Sequence, residues 1–442
     1  MIFILFAVLM ILLTFYFLGR RSIFGVSFIN GNYSGLYLIK EIFVFIVPGV
    51  LLVNIFPLTD FYVFNVLDST KIFNISLVIL YSVFVFLAVV FLGSRYGWLS
   101  TSQISFSYSD KEKREITYFT LFLLILSLAC GSIIYLSGGK HAFVSAVLND
   151  VSLKEIRMHN KYHLSIPGAF KLFHEYLLVM ITILIASPIF ARKKVFVFCM
   201  FTWVLFSFSY SGAKAPIINI IVVYVISYLS LKGDRIKKRK LFLYVFVLSL
   251  IVLPIIVYLV SIQYPGYSTA DYISYFINRI GVGQIGGAYE QLSIELRSSD
   301  YFYHAVPFGS FVFDYVPFQR ELMVVTEGMK DINSTGTKNS LFISEALAIG
   351  GWFMVAVSPF IVACAYLIEV FVTSKLFSKF LSMKREFSIT FSTILFFNFG
   401  SITGGFSEWL LLKLFILHLI FIFAAILPYK VFRLILRKGN EC

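Results

Sequence analysis

Long uncharged runs leave this chain few folds to choose from. Residues 72–93, IFNISLVILYSVFVFLAVVFLG, and residues 117–136, TYFTLFLLILSLACGSIIYL, are each long enough to cross the hydrocarbon core of a bilayer as a helix. Only 14% of the 442 residues are charged, against about 25% in soluble domains. The runs recur along the whole chain, which predicts an all-α, polytopic membrane protein folded as one membrane domain over residues 1–442. The opening MIFILFAVLMILLTFYFLGRR has no basic start and no small-residue cleavage site, and so reads as a retained span rather than a signal peptide.

About 11 hydrophobic segments are legible, near 1–18, 37–57, 72–93, 117–136, 169–190, 195–210, 215–231, 241–261, 341–367, 387–403 and 408–428. Basic residues gather in every second connection. One set holds Arg20, Arg21, Lys40, Arg95, Lys111, Lys113, Arg114, Arg192 to Lys194, Lys232 to Lys240, Lys375 to Arg385 and the tail from Lys430 to Lys438, most of the 37 in the chain. Basic residues near span ends favour the cytoplasm, so the N-terminus is expected in the periplasm and the C-terminus inside. The net charge of +14 then serves topology and does not call for nucleic acid. Cys130, Cys199 and Cys364 lie in apolar runs and Cys442 ends the chain, without metal-ligand spacing.

Two periplasmic loops are expected, 137–168 and the large 262–340. The second is much longer than ordinary connections, yet it is rich in Tyr and Phe and poor in charge, unlike disordered segments. Short amphipathic helices along the membrane surface are expected there, with breaks at Gly281, Gly283, Gly286 and Gly287. No repeat of spans is visible, which disfavours a transporter made of duplicated halves.

Basic residues on the outer face run against the topological bias and need another reason to be there. Lys214 follows Ser211-Gly212-Ala213 and precedes Pro216, a residue suited to a first helical turn. A helix start carrying a lysine presents partial and full positive charge to an anion, and a lysine reaching for lipid phosphate is the plainer alternative. Arg157 lies in NDVSLKEIRMHNKYHLSIPGAF with Lys154, His159, Lys161 and His163, before Gly168. A guanidinium fork suits diphosphate oxygens. Arg279 in SYFINRIGVGQ is followed by glycines that permit close approach of a ligand, and Arg297 and Arg320 lie further along. Tyr289 and neighbouring tyrosines offer flat faces for sugar rings. Glu290 and Glu345 are carboxylates placed to act as general base or as ion-pair partner, with Glu408 and the imidazoles His163 and His304 as further candidates. Walker, dinucleotide, nucleophile-elbow and zincin signatures are missing, and no outer Asp-x-Asp pair stands ready for a divalent ion. Chemistry without metal or cofactor is expected.

Taken together, the many spans, the two outer loops, the Ser211-Gly212-Ala213-Lys214 turn and the segment NSLFISEALAIGGW (Asn339 to Trp352) resemble the O-antigen polymerase (Wzy-type) family of oligosaccharide repeat-unit polymerases. Arg157 and Gly168 fit the family's Arg-x10-Gly spacing, whereas Arg297 to Gly309 misses it by one residue. The resemblance implies a metal-independent glycosyltransferase of the bacterial inner membrane. It would move a growing glycan from undecaprenyl diphosphate onto a second lipid-linked repeat unit. It also implies Arg157, Lys214 and Arg279 around the diphosphate, with Glu290, Glu345 or His163 as base. Arg297, Arg320, Gly168 and Tyr289 would be further substrate contacts, and a chain-length regulator protein a further partner. An O-antigen ligase shares this plan and chemistry. A flippase for the lipid-linked unit would need ionisable residues deep inside the spans, where His418, Lys413 and Glu369 are the few present.

Overall fold

The computed structural model describes residues 2–21, 33, 35–55, 67–95, 108–141, 144–145, 156, 159–160, 166–211, 214–231, 268–309, 312–313, 316–328 and 338–439. Among these every regular element is a helix. In chain order they are α1 (Ile2–Arg21), α2 (Leu36–Ile55), α3 (Ile72–Arg95), α4 (Asp110–Leu136), α5 (Gly168–Ile185), α6 (Lys194–Phe208), α7 (Lys214–Leu231), α8 (Thr269–Ile280), α9 (Val282–Ile294), α10 (Tyr301–Ala305), α11 (Phe318–Glu327), α12 (Phe342–Leu381), α13 (Arg385–Phe399), α14 (Ser407–Leu410) and α15 (Lys413–Gly439). Among the described residues, six helices are long and apolar enough to cross a membrane: Leu36–Ile55, Ser69–Gly93, Asp110–Leu136, Gly168–Ile185, Phe342–Leu381 and Lys413–Ile435. Shorter apolar helices cover Phe3–Thr14, Lys194–Phe208 and Pro216–Leu231. The expected segment 241–261 lies outside the described residues.

The bundle is organised around α12, which packs on α3, α13, α9 and α15. A 40-residue helix would run about 60 Å, twice the thickness of a hydrocarbon core. It is divided at Gly350 (φ −138°, ψ 18°) and Gly351 (φ 66°, ψ −162°), the second a conformation that only glycine adopts readily. The first piece, Phe342 to Ile349, is almost wholly buried, and the span proper follows the break. Helix α13 is buried on all sides from Phe387 to Phe397. Burial on every face, including that of Ser388, Thr390, Ser392 and Thr393, marks a core helix rather than a lipid-facing one.

Two expectations need correction. Lys40, assigned to a basic connection, lies inside α2, where residues Lys40–Ile46 widen to a π-helical stretch. Such bulges recur at functional positions. Here the bulge carries Glu41, whose Oε2 accepts the Ile402 N–H at 2.8 Å. Nor is the region around Gly283, Gly286 and Gly287 a series of breaks. It forms the continuous, buried helix α9. The glycines serve close packing instead. Gly287 donates its N–H to the Asn339 carbonyl at 3.0 Å, and a Cβ there would sit 2.7 Å from that oxygen. Gly281 meets Gly49 of α2 backbone to backbone. A segment that composition placed on the membrane surface is thus driven into the bundle by its small residues.

The charges sort to two ends. At one, Glu112 accepts the backbone N–H of Lys384 at 2.9 Å, and Glu115 is ion-paired with Arg433 and faces Lys430 at 3.6 Å. At the other, Lys71 Nζ donates to the Ser293 carbonyl at 3.0 Å, and Lys413 Nζ to the His304 carbonyl at 2.6 Å. Lys384, Lys430 and Arg433 belong to the basic set read from sequence as cytoplasmic, whereas Lys71 and Lys413 stand outside it.

Candidate functional site

The polar groups at the second end converge where α10, α11, α14 and the buried half of α12 meet. Glu345 lies in the first turn of α12, with its side chain fully buried. Free N–H groups at a helix start favour a carboxylate. Its Oε2 accepts the Ser407 N–H at 2.8 Å, and its Oε1 lies 3.3 Å from His304 Nδ1. The Ser407 hydroxyl is 2.8 Å from the same Nδ1. Because serine and carboxylate share one ring nitrogen, the arrangement is not a nucleophilic triad, in which the two partners lie on opposite nitrogens. It is a carboxylate held in place by a backbone donor and an imidazole.

Glu408, one residue beyond Ser407, stands ahead of the last span, which begins at Lys413 rather than at 408. Burial among its neighbours, reinforced by the charge of Glu345 and opposed by Lys413, pushes its carboxyl up to about 7. It is partly exposed. A carboxyl of raised pKa beside a second, hydrogen-bonded carboxyl is placed to exchange a proton near neutral pH. The turn Gly404-Gly405 makes room for both. A side chain at Gly405 would collide with the Glu345 carboxylate and lie 2.6 Å from the Gln319 amide nitrogen, and one at Gly404 would touch Glu408 Oε2 at 3.5 Å. The ITGGFSE stretch was the available signal: two glycines beside an acid at a span's mouth.

A second buried carboxylate, Glu290 on α9, is ion-paired with Lys338. Lys338 also reaches Glu327 and the Thr326 hydroxyl, both at 2.9 Å, and its N–H donates to the Gln319 carbonyl at 3.1 Å. Gln319 thus accepts from Lys338 through its carbonyl and turns its amide toward Gly405, beside Glu345. Tyr289 is fully buried and shares a 2.7 Å hydrogen bond with Ser76 of α3. Its ring is a core contact. Arg297 pairs with Glu295 at 2.6 Å and lies over the α12 break, with Nη1 3.2 Å from where a Gly351 side chain would start. Glu295 also accepts the Trp352 indole N–H at 3.2 Å. Arg320 sits partly exposed in the first turn of α11.

Arg157 and His163 lie outside the described residues. Lys214 is the first residue of α7, and Arg279 lies in the last turn of α8. Gly281, expected to open a path for a ligand beside Arg279, instead contacts α2. His141 is 2.9 Å from both the Phe206 carbonyl and the Ser209 hydroxyl, just before the Lys214 turn. Asn160, three residues past Arg157, exchanges hydrogen bonds with the Lys140 backbone at 2.7 and 3.0 Å. Gly168 opens α5, with nothing near its missing side chain. Deeper in the bundle, Glu369 and His418 are hydrogen-bonded to each other and buried, with Tyr176, Phe396 and Phe399 around the imidazole. These mid-span groups are paired through His418 Nδ1, and both are buried.

Comparison of the chain with protein-family models, curated proteins and solved structures finds no match.

Proposed function

We propose that this chain is an oligosaccharide repeat-unit polymerase acting on undecaprenyl-diphosphate-linked glycans, with the Glu345–Glu408 cluster as its proton-handling centre. The reading places about 11 spans in the bacterial inner membrane. The cluster faces the periplasm, the N-terminus lies on that side, and the C-terminus lies in the cytoplasm. Its main support is the pair of neighbouring carboxylates, one fixed by Ser407 and His304 and the other of raised pKa, at the mouth of the last span.

In this mechanism the acceptor sugar hydroxyl attacks the anomeric carbon of the donor glycan. The bond from that carbon to the diphosphate oxygen breaks, and undecaprenyl diphosphate leaves as an anion. Glu408 takes the hydroxyl proton. Glu345 keeps His304 and Ser407 in place. Arg157, Lys214 and Arg279 gather around the leaving diphosphate, where cations aimed at developing charge lower the barrier. The polyprenyl tails remain in the bilayer, because drawing them into water is costly. The pairing of Glu369 with His418 favours this reading over a flippase, whose path would need such groups exposed to a channel.

The test is the surface glycan of cells carrying single variants. Lys214→Ala and Arg157→Ala are expected to abolish polymer ladders while single-unit glycan persists. Normal ladders in both would overturn the anion-site assignment. Activity of the purified protein is expected to survive EDTA; complete loss restored by magnesium would contradict metal-independent transfer.

A further inference from the structure

At the other end of the bundle, the connection between α5 and α6 borders a groove of about 630 Å³. Its walls are chiefly apolar, including Phe198, Phe201, Tyr224 and Tyr228, and Lys194 stands in its lining. Three observations there point the same way. Arg192, Lys193 and Lys194 are all exposed beside it. Helix α6 starts at Lys194 with no side chain capping its free N–H groups, so a partial positive charge adds to the lysine. Ser187, which also lines the groove, is 2% exposed, and its hydroxyl has no hydrogen-bond partner. Buried hydroxyls are almost always satisfied. An unpaired one beside a cation and an open helix start marks a place for an oxygen-rich anion.

We infer that this groove is a binding site for one anionic glycerophospholipid, its phosphate at Lys194, Ser187 and the start of α6, and one acyl chain along Phe198, Phe201 and Tyr224. A soluble anion would leave the apolar length of the groove empty, and a zwitterionic lipid would bring its own cation to a triply basic edge. Phe198 is 72% exposed in the protein alone, and an acyl chain would cover it. The site is independent of the glycosyl-transfer reading.

The test uses the full-length protein in nanodiscs of mixed phosphatidylglycerol and phosphatidylcholine, with a trace of either lipid bearing a photoreactive acyl chain and adducts mapped by mass spectrometry. Adducts from the phosphatidylglycerol probe are expected to concentrate on α6 and α7 around Phe198 and Tyr224. Unlabelled phosphatidylglycerol should displace them and phosphatidylcholine should not. Lys194→Gln is expected to lower occupancy about fivefold, as for loss of one lysine at an anionic surface. Equal labelling by both headgroups, or adducts spread evenly around the belt, would overturn the proposal on the unaltered protein. Displacement by undecaprenyl phosphate but not by phosphatidylglycerol would overturn it in favour of a polyprenyl lipid.

Discussion

Glu290 and Glu408 are both candidate acids in the sequence, and the structure gives them different circumstances. Glu290 is fully buried against Lys338, whereas Glu408 is partly exposed and held near neutrality by burial and by Glu345. A folded carboxyl raised from its usual 4.5 to about 7 keeps its proton where the unfolded one has lost it. Stability contributed through Glu408 is therefore greatest at low pH, falls as pH rises from about 4.5 to about 7, and is flat above. Activity has the opposite slope, because only the ionised form accepts a proton. Transfer measured against pH is expected to rise through about 7, and Glu408→Gln should remove the activity and flatten the stability profile over that window. A variant with an unchanged pH–rate profile would dismiss Glu408 as the base. For Glu290 the expected outcome is structural. Lys338→Met, which strands a buried carboxylate, should cost about 3–5 kcal/mol in unfolding experiments. The double variant Glu290→Gln with Lys338→Met should regain most of that stability and retain activity. A well-folded but inactive double variant would return Glu290 to the chemistry.

At the level of elements, the break in α12 decides where Glu345 sits. Without Gly350 and Gly351, residues 342–381 would continue as one rod, and the buried half that presents Glu345 to Ser407 would point elsewhere. Arg297 and Glu295 pack over the break, and the Ser298 N–H donates to the Ala348 carbonyl at 3.3 Å, meeting one of the groups the break sets free. Gly351→Ala is expected to destabilise the protein by about 1–3 kcal/mol, the range for an L-residue forced into such a conformation. It should also impair activity out of proportion to the fraction unfolded. Circular-dichroism melts and a transfer assay on the same preparation check both. Spans were legible in sequence because hydrophobicity at helical length is a local property. The burial of α9 was not, because Gly281 against Gly49 and Gly287 against Asn339 are contacts between distant parts of the chain. The same holds for the site. Glu290 was legible as an acid of the large loop and Glu345 as one at the entry to a span, but Ser407, Lys413 and Lys338 joined them only through the fold.

For the molecule as a whole, the two charged ends carry the topological argument further than counting did. Lys384 and Arg433 are far apart in sequence, yet both are bound to acids of the first two turns of α4: Glu112 takes the Lys384 N–H, and Glu115 the Arg433 guanidinium. Lys71 and Lys413 are held instead by carbonyls of the large loop. A bilayer lying between these ends would separate the Glu345–Glu408 cluster from the basic residues at the Glu115 end. Basic residues at span ends favour the cytoplasm, which is the ground for the proposed orientation with the Glu345 end outward. Single cysteines introduced into a chain cleared of its own four test this directly. Arg297→Cys and Lys113→Cys are suitable, since both side chains are 49% exposed. In intact cells with a permeable outer membrane, a membrane-impermeant maleimide is expected to label position 297 and spare position 113 until the inner membrane is opened. The reverse pattern would turn the carboxylate cluster toward the cytosol. A lipid-linked glycan already moved to the outer leaflet could not reach it there, and the polymerase reading would fall with the orientation.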